Sequence, residues 1–437
     1  MGEERSILIA YTLNAIAFKA QTHPKHRFQN LYGQLNTDLL YQSWGQLNKQ
    51  AKPGIDGITM PAYEDSLPEN IRRLSWALKQ KCYRANDIKR VYIPKSNGKQ
   101  RPLGLPTVDD KLVQQSVSQL LQGIWEQDFV RHSYGYRPHK SAHQAVHSLT
   151  LNLQFKGYGY VVEADIKGFF DNIDHNWLMR MLKQRIDDKA LLSLIKQWLK
   201  ARIKEPRGAF NKPTSGSPQG GIISPVLANI YLHYALDLWF EKRVKPSLRG
   251  RAMMIRYADD FVCAFQYAQD AEYFYQALPT RLQRFNLDVA KEKTSLMRFS
   301  RFHPSCKRQF VFLGFAFYWG KDTGGQPRLR RRTAAKKQRS TLNELYRWIK
   351  AKRSQKLNIW LPQLKRKLRG FSHYFGLPDN SRSLAKVSAF VLHSLYKWLN
   401  RRSGRRSYNW RSFKEMLIYF QIEPLRVRKR VIEVDWY

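Results

Sequence analysis

Three aspartates carry the chemistry that this sequence offers. Asp259 and Asp260 are adjacent in Ala258-Asp259-Asp260, a tight step between two short runs rich in Met, Ile, Val and Phe. That pattern reads as a β-hairpin with two carboxylates at its tip. Taken alone, an Asp-Asp step is an ordinary solvated turn. Two like charges a few ångströms apart are costly to ionise together, and a bound divalent cation removes that cost. Asp165 sits near the end of a second strand-like run, residues 160–166, with Gly168 free to turn the chain after it. Three carboxylates from two separate strand elements converge naturally on a two-metal site. Such a site stabilises both the attacking and the leaving oxygen of an in-line phosphoryl transfer. An all-oxygen shell completed by phosphates and water suits Mg2+. Asp171 and Asp174 stand close by, but they precede a helical run at 177–182, and capping or first-turn roles account for them.

Two further stretches would serve such a site. Ile88-Lys-Arg-Val-Tyr-Ile-Pro94 reads as a strand and Pro102-Leu-Gly-Leu-Pro106 leads back. Between them, Lys95-Ser-Asn-Gly-Lys-Gln-Arg101 is a hairpin turn crowded with cations. Alone it is simply a basic, solvated turn; swung over a cleft it can clamp a triphosphate, because Lys supplies a point charge and Arg a planar fork. Thr214-Ser-Gly-Ser-Pro-Gln-Gly-Gly221 is dense in Gly, Ser and Pro and opens a helical run at 222–239. Its glycines allow close backbone approach to a ligand, and Gln219 is a neutral donor and acceptor. Together these groups read as nucleotidyl transfer onto a 3′-hydroxyl.

The elements that must position them can be followed along the chain. Residues 1–80 are mostly helical, with Leu35, Leu39, Leu40 and Trp44, then Ile71, Leu74 and Leu78, at helical spacing. Helical runs follow at 109–125, 191–199 and 268–284, and the apolar stretch 310–318 reads as a strand pair. The loop at 320–325 is the clearest boundary. The expected division is 1–85, mostly helical; 86–155, with the basic hairpin; 156–320, with both carboxylate-bearing elements; and 321–437, a helical basic region.

Composition narrows the partners. The chain has 437 residues, 43% of them hydrophobic, enough for two or three globular domains. Its net charge of +42 repels itself unless a polyanion is the normal partner, which points to nucleic acid. An anionic membrane surface is the weaker alternative. The apolar run at 7–18 is broken by Thr12 and Asn14 and follows Glu3 and Glu4, so it is neither a signal peptide nor a spanning helix. Cys82, Cys263 and Cys306 are too widely spaced for a disulfide framework or a zinc pair. The expected location is therefore cytoplasmic, nucleoid association included. Residues 321–437 hold 30 Lys and Arg against 7 Asp and Glu, so +23 of the charge sits in the last quarter. Basic runs at 328–332, 365–369, 401–406 and 426–430 alternate with aromatics such as Trp348, Trp360, Tyr396 and Trp410. Cations around an aromatic core describe a helical nucleic-acid-binding domain.

Nine stretches in order carry a family resemblance. They are Gly54-Ile-Asp-Gly57, Ile93-Pro-Lys-Ser-Asn-Gly-Lys-Gln-Arg-Pro-Leu-Gly104, Tyr134-Gly-Tyr-Arg-Pro138 and Ala164-Asp-Ile-Lys-Gly-Phe-Phe170. Ser217-Pro-Gln-Gly-Gly-Ile-Ile-Ser-Pro225, Tyr257-Ala-Asp-Asp260, Glu292-Lys-Thr294, Phe312-Leu-Gly-Phe315 and Leu368-Arg-Gly-Phe-Ser-His-Tyr-Phe375 follow. From about Phe28 to Arg430 the sequence resembles the bacterial group II intron-encoded reverse transcriptase/maturase proteins.

The resemblance implies an α+β right-hand polymerase: an N-terminal helical extension and the start of the fingers at 1–85, fingers at 86–155, a palm of antiparallel sheet and helices with some finger elements at 156–320, and an all-helical basic thumb/maturase domain that binds RNA at 321–437. It implies an RNA-directed DNA polymerase with two Mg2+ ions, Mn2+ able to substitute, on Asp165, Asp259 and Asp260. Lys95 and Arg101 take the positions that contact the triphosphate of the incoming dNTP. Phe170 takes that of the steric gate against a ribose 2′-hydroxyl, and Gln219 lies against the incoming sugar. The partners implied are group II intron RNA, an RNA template, a DNA primer or target and dNTPs, with no membrane; oligomeric state is left open. Relatives that diversify genes carry Ser-Gln where this chain has Pro218-Gln219, and the Val-Thr-Gly signature of retron enzymes is absent. No Cys-pair and His-rich endonuclease module precedes Tyr437, so second-strand cleavage is not expected of this chain. Two alternatives share the sequence: a domesticated relative in DNA repair or phage defence, and an RNA-binding splicing factor with an unused polymerase site.

Overall fold

The computed structural model describes residues 2–94, 98, 100–402 and 405–427. Lys95 lies outside them. The chain forms two compact units that interleave in sequence. The first comprises Met1–Ser141, Ala164–Cys263 and Gln269–Ser295; the second comprises Ala142–Glu163, Ala264–Ala268 and Leu296–Tyr437. In chain order the strands are β1 (Ile88–Pro94), β2 (Gln100–Leu105), β3 (Tyr160–Lys167), β4 (Ile203–Lys204), β5 (Phe210–Asn211) and β6 (Ala252–Tyr257). They continue with β7 (Asp260–Phe265), β8 (Asp288–Val289), β9 (Ser295–Arg298), β10 (Gln309–Phe312), β11 (Phe315–Lys321) and β12 (Pro327–Thr333). With the helices, this is the α+β architecture expected.

In the first unit, β1 and β2 form the antiparallel hairpin that the sequence suggests, with Ile93 opposite Arg101 and Pro94 opposite Gln100. They belong to a sheet ordered β2-β1-β4-β5. The site-bearing sheet runs β6-β7-β3-β8, so the hairpin β6/β7 lies beside the strand that carries Asp165. Phe261, Val262, Cys263 and Ala264 on β7 are all fully buried, which is why this stretch reads as a continuous apolar run. The helix Val108–Trp125 is the buried spine of the unit. The Thr107 side chain caps it by accepting from the Asp110 amide. Its buried polar residues are paired, as in the 2.7 Å contact between the Ser43 and Ser116 hydroxyls.

The expected continuous helix at 222–239 is instead a helix Ser224–Leu232 followed by two wider π-helical segments, His233–Asp237 and Phe240–Val244. The sequence pattern does not distinguish a 3.6-residue turn from a wider one. Here the wide turn ends on Asp237, which is wholly buried against Arg256.

The second unit holds the three-stranded sheet β10-β11-β12, the helix Ala142–Phe155 and a C-terminal group of helices, Ala335–Lys352, Leu357–Phe375, Ser381–Leu399 and Trp410–Tyr419. Trp360, Leu364, Val387, Leu395 and Phe413 meet in the common core of that C-terminal group. The basic run at 328–332 is the strand β12 rather than part of a helix. Leu329 and Thr333 turn inward while the arginines between them face outward or pair, a period of two rather than 3.6. The helical part therefore starts at Ala335. Among the described residues no helix is long and apolar enough to cross a membrane.

Candidate active site

Asp165 lies two residues before the end of β3. Its carbonyl accepts from the Ala290 amide at 2.8 Å, and Ile166 pairs with Val289 on β8, so its backbone is held on that side. Gly168 then takes φ +56°, which releases the chain into the short helix Phe169–Asn172. Asp174 caps the next helix by accepting from the Trp177 amide at 2.8 Å, as its spacing suggests, and Asp171 sits in the first turn of the preceding one.

The hairpin tip is a strained turn pinned from below. Ala258 adopts φ +57°, a left-handed conformation rare outside glycine and asparagine. Beneath it, Arg256 is fully buried and grips the equally buried Asp237 with two fork nitrogens, Nε at 2.7 Å. Its Nη1 donates to the Ala258 carbonyl at 3.1 Å and to Asn229 Oδ1 at 3.0 Å. Asn229 in turn donates to the Gly135 carbonyl at 2.7 Å. Gly135 is needed for contact: a Cβ there would sit 2.3 Å from the Ala258 amide nitrogen. Backbone bonds from Tyr134 to Arg256 (2.9 Å) and from Arg256 to His132 (3.0 Å) close the arrangement. The segment Tyr134-Gly-Tyr-Arg-Pro138 is therefore the floor under the Asp-Asp turn.

The Pro-Gln-Gly loop is fastened to the β1/β2 hairpin. The Gly104 amide donates to the Gln219 carbonyl at 2.6 Å, and a Cβ on Gly220 would lie 2.6 Å from the Gly104 carbonyl. Its other end is fastened to the segment after β3, where the Ser217 amide donates to the Phe170 carbonyl at 2.8 Å. This loop therefore ties Arg101, on β2, and Phe170 to one frame.

A cleft of about 580 Å³ results, lined by Arg101, Asp165, Phe170, Gln219 and Asp259 from the sequence reading. Tyr136 and Lys293 line it as well, and the sequence reading did not single them out. Lys293 was visible within Glu292-Lys-Thr294. Tyr136 had no signal beyond its place in a turn-rich motif. Asp260 opens β7, half-buried, and is not among the described residues that line the cleft.

The cleft is electrostatically a place for a cation. Burial raises the Asp259 carboxyl above its usual range, and the Asp165 charge raises it further, while Lys293 and Arg101 oppose both effects. The Lys293 ammonium pairs with Asp165 Oδ2, and that hydrogen bond raises its own pKa. Among the described residues no three acidic, His or Cys side chains form a metal-holding cluster. Two facing carboxylates, oxygen donors only, with an ammonium already drawn to one of them, nonetheless fit a hard divalent cation.

In the second unit, aromatic residues carry cations on their faces. Lys350 and Arg353 lie 5.2 and 5.4 Å from the Trp398 ring, and Tyr396 stacks on the half-exposed Trp410 at 4.1 Å. Trp360, by contrast, is fully buried in the helical core.

A family model described as reverse transcriptase (RNA-dependent DNA polymerase) matches residues 93–317. A second, described as group II intron, maturase-specific domain, matches residues 338–416. The chain is similar to group II intron-encoded protein LtrA of Lactococcus lactis subsp. cremoris, 39% identical over 223 residues, 51% of this chain and 37% of the relative. It is similar to protein YkfC of Escherichia coli (strain K12), 32% identical over 290 residues, 59% of this chain and 75% of the relative. An uncharacterized 91 kDa protein in a cob intron of Schizosaccharomyces pombe is 32% identical over 244 residues, 55% of this chain and 30% of that one. The matched part thus spans little more than a third of the Lactococcus protein.

Proposed function

Because the chain belongs to the reverse transcriptase (RNA-dependent DNA polymerase) family, and within it to the group II intron type, we propose that it copies RNA into DNA from a primer 3′-hydroxyl. In that transfer the primer oxygen bonds to the α-phosphorus of a dNTP, the bond to the bridging oxygen breaks, and pyrophosphate leaves. The observation that carries the reading is the single cleft shared by Asp165, Asp259, Arg101, Phe170 and Gln219.

Asp165 and Asp259, with Asp260 beside them, would hold two Mg2+ ions, or Mn2+ in their place, which neutralise charge on the transferring phosphate when bound. Arg101 faces the same cleft and pairs phosphate oxygens of the triphosphate. Phe170 lines the cleft and, as the gate, would press its ring against a ribose 2′-hydroxyl, so deoxynucleotides are selected. Gln219 contacts the sugar from a loop whose backbone is bound to β2. The helical region matched by the maturase-specific domain binds intron RNA and assists its splicing, a role that its excess of cations supports.

The test is primer extension on an RNA template with dNTPs. Asp259→Ala should abolish it, whereas persistent extension would refute the site. Phe170→Ala should raise the use of ribonucleotides without abolishing extension.

A further inference from the structure

We infer that Tyr136 is a specificity-determining residue that holds the Phe170 ring in place for sugar discrimination. This rests on the reading of Phe170 as the gate. Rejecting a substrate for one extra oxygen requires a ring that cannot swing aside. A phenylalanine side chain turns about two torsions, so its neighbours must fix it. Two rings do so here. Phe169, buried in the core, meets Phe170 at 5.4 Å between centroids and 63° between planes. Tyr136, on the cleft side, meets it at 6.3 Å and 75°, the edge-to-face arrangement that aromatic pairs favour.

Tyr136 is unusual on its own terms. Its backbone is left-handed, φ +59°, and its ring is 48% exposed within the cleft. A bulky aromatic gains nothing locally from that conformation, so its surroundings must impose it. They do so on both sides. Gly135 is pressed against Ala258 and bonded through its carbonyl to Asn229. Arg137, almost fully buried, pairs with Glu126 at 2.9 Å and donates to the carbonyls of Val130 and Ser133, each at 2.8 Å. The main chain is locked before and after Tyr136, and the ring between is delivered to Phe170. The same floor that supports the Asp-Asp turn thereby sets the gate, which explains a motif that the cleft's carboxylates and cations leave without a role.

The test compares kcat/KM for dGTP and GTP on an RNA template with Mg2+, in the full chain and in Tyr136→Asn, Tyr136→Phe, Phe170→Ala and the double variant Tyr136→Asn/Phe170→Ala. Asparagine tolerates the left-handed backbone and removes the ring. Tyr136→Asn should lose roughly 3- to 10-fold of the discrimination, the size of an aromatic pair interaction, and Tyr136→Phe should keep it. Tyr136 acts through Phe170, so the double variant should discriminate no worse than Phe170→Ala. Relaxed selection in Phe170→Ala with unchanged selection in Tyr136→Asn would overturn the role of Tyr136 and leave the gate standing. An equal loss of rate with both nucleotides, or additive effects in the double variant, would overturn it too. Unchanged selection in Phe170→Ala would remove the gate and this inference with it. Should Tyr136→Asn fail to fold, Tyr136→Leu, alone and with Phe170→Ala, is read by the same criteria.

Discussion

Replacing Arg256 by Met separates what this residue does for the fold from what it does for the turn. Arg256 and Asp237 are both fully buried, and the guanidinium holds the carboxylate with two nitrogens. Removing one partner strands the other charge in the interior, at a cost of about 3–5 kcal/mol. For a domain of this size that lowers the unfolding temperature by roughly 6–20 °C. Arg256→Met/Asp237→Leu removes both charges, and such replacements are commonly neutral or better for stability, so the double variant should recover most of the loss. It should not recover activity. The bond from Arg256 to the Ala258 carbonyl, 3.1 Å, is charge-assisted and contributes about 1.5–3 kcal/mol, against roughly 1–2 kcal/mol for a left-handed residue at Ala258. Without it the turn has little reason to stay strained, and Asp259 drifts. A shift of about 1 Å in a reacting group costs on the order of 100-fold in rate. Thermal unfolding and primer-extension kcat, measured on both variants, decide the matter. Parent-like kcat in the double variant would refute the argument, as would an unfolding temperature for Arg256→Met within about 2 °C of the parent.

The same floor predicts that Gly135→Ala abolishes the proposed primer extension, because the new Cβ would lie 2.3 Å from the Ala258 amide and one backbone must move; full primer extension by that variant would contradict the close approach. Burial lowers the pKa of His233 to about 4; the Asp237 charge opposes it, and Arg256, Lys242 and Arg137 add to it. The unfolded chain takes up this proton near pH 6.5 and the folded one only near 4, so stability should fall as pH drops through that window, by up to roughly 3 kcal/mol. His233→Phe should flatten this limb in denaturant titrations at pH 7 and pH 4.5; an identical pH dependence would assign the loss to other groups. Neutralising Arg401, Arg402, Arg405 and Arg406 should weaken RNA binding and reduce the slope of log K against log salt, by up to about 0.7–0.9 for each phosphate no longer neutralised. An unaltered slope would put the RNA elsewhere on the chain.

Most of the chemistry was present in local sequence because local rules govern it. The apolar runs around Ala258-Asp259-Asp260 specify a hairpin by their period, and turn residues specify its tip. The β1/β2 hairpin, the cap at Asp174 and the strand pair at 310–318 are likewise short-range patterns, and each formed. Periodicity failed where two patterns share residues. Arg328 to Arg332 satisfies a basic helix as readily as a strand, and only pairing with β11 makes it β12. The π-helical turns escaped notice because one extra residue per turn barely alters an apolar helix pattern.

What the tertiary structure alone decided was which residues stand around the aspartates. Lys293 reaches Asp165 across 128 positions of sequence, Asn229 reaches Gly135 across 94, and the Gly104 amide finds the Gln219 carbonyl. Such pairs leave no local signature, since a lone arginine, tyrosine or glycine reads the same whether it is solvated or beneath a catalytic turn. The carboxylate pair was legible as a candidate because its adjacency at the tip of an apolar hairpin is local, and Asp165 on a second strand-like run lifted it above a solvated turn. The identity of what braces them depends on long-range packing, which is why Arg256 and Tyr136 emerged only once the chain was folded.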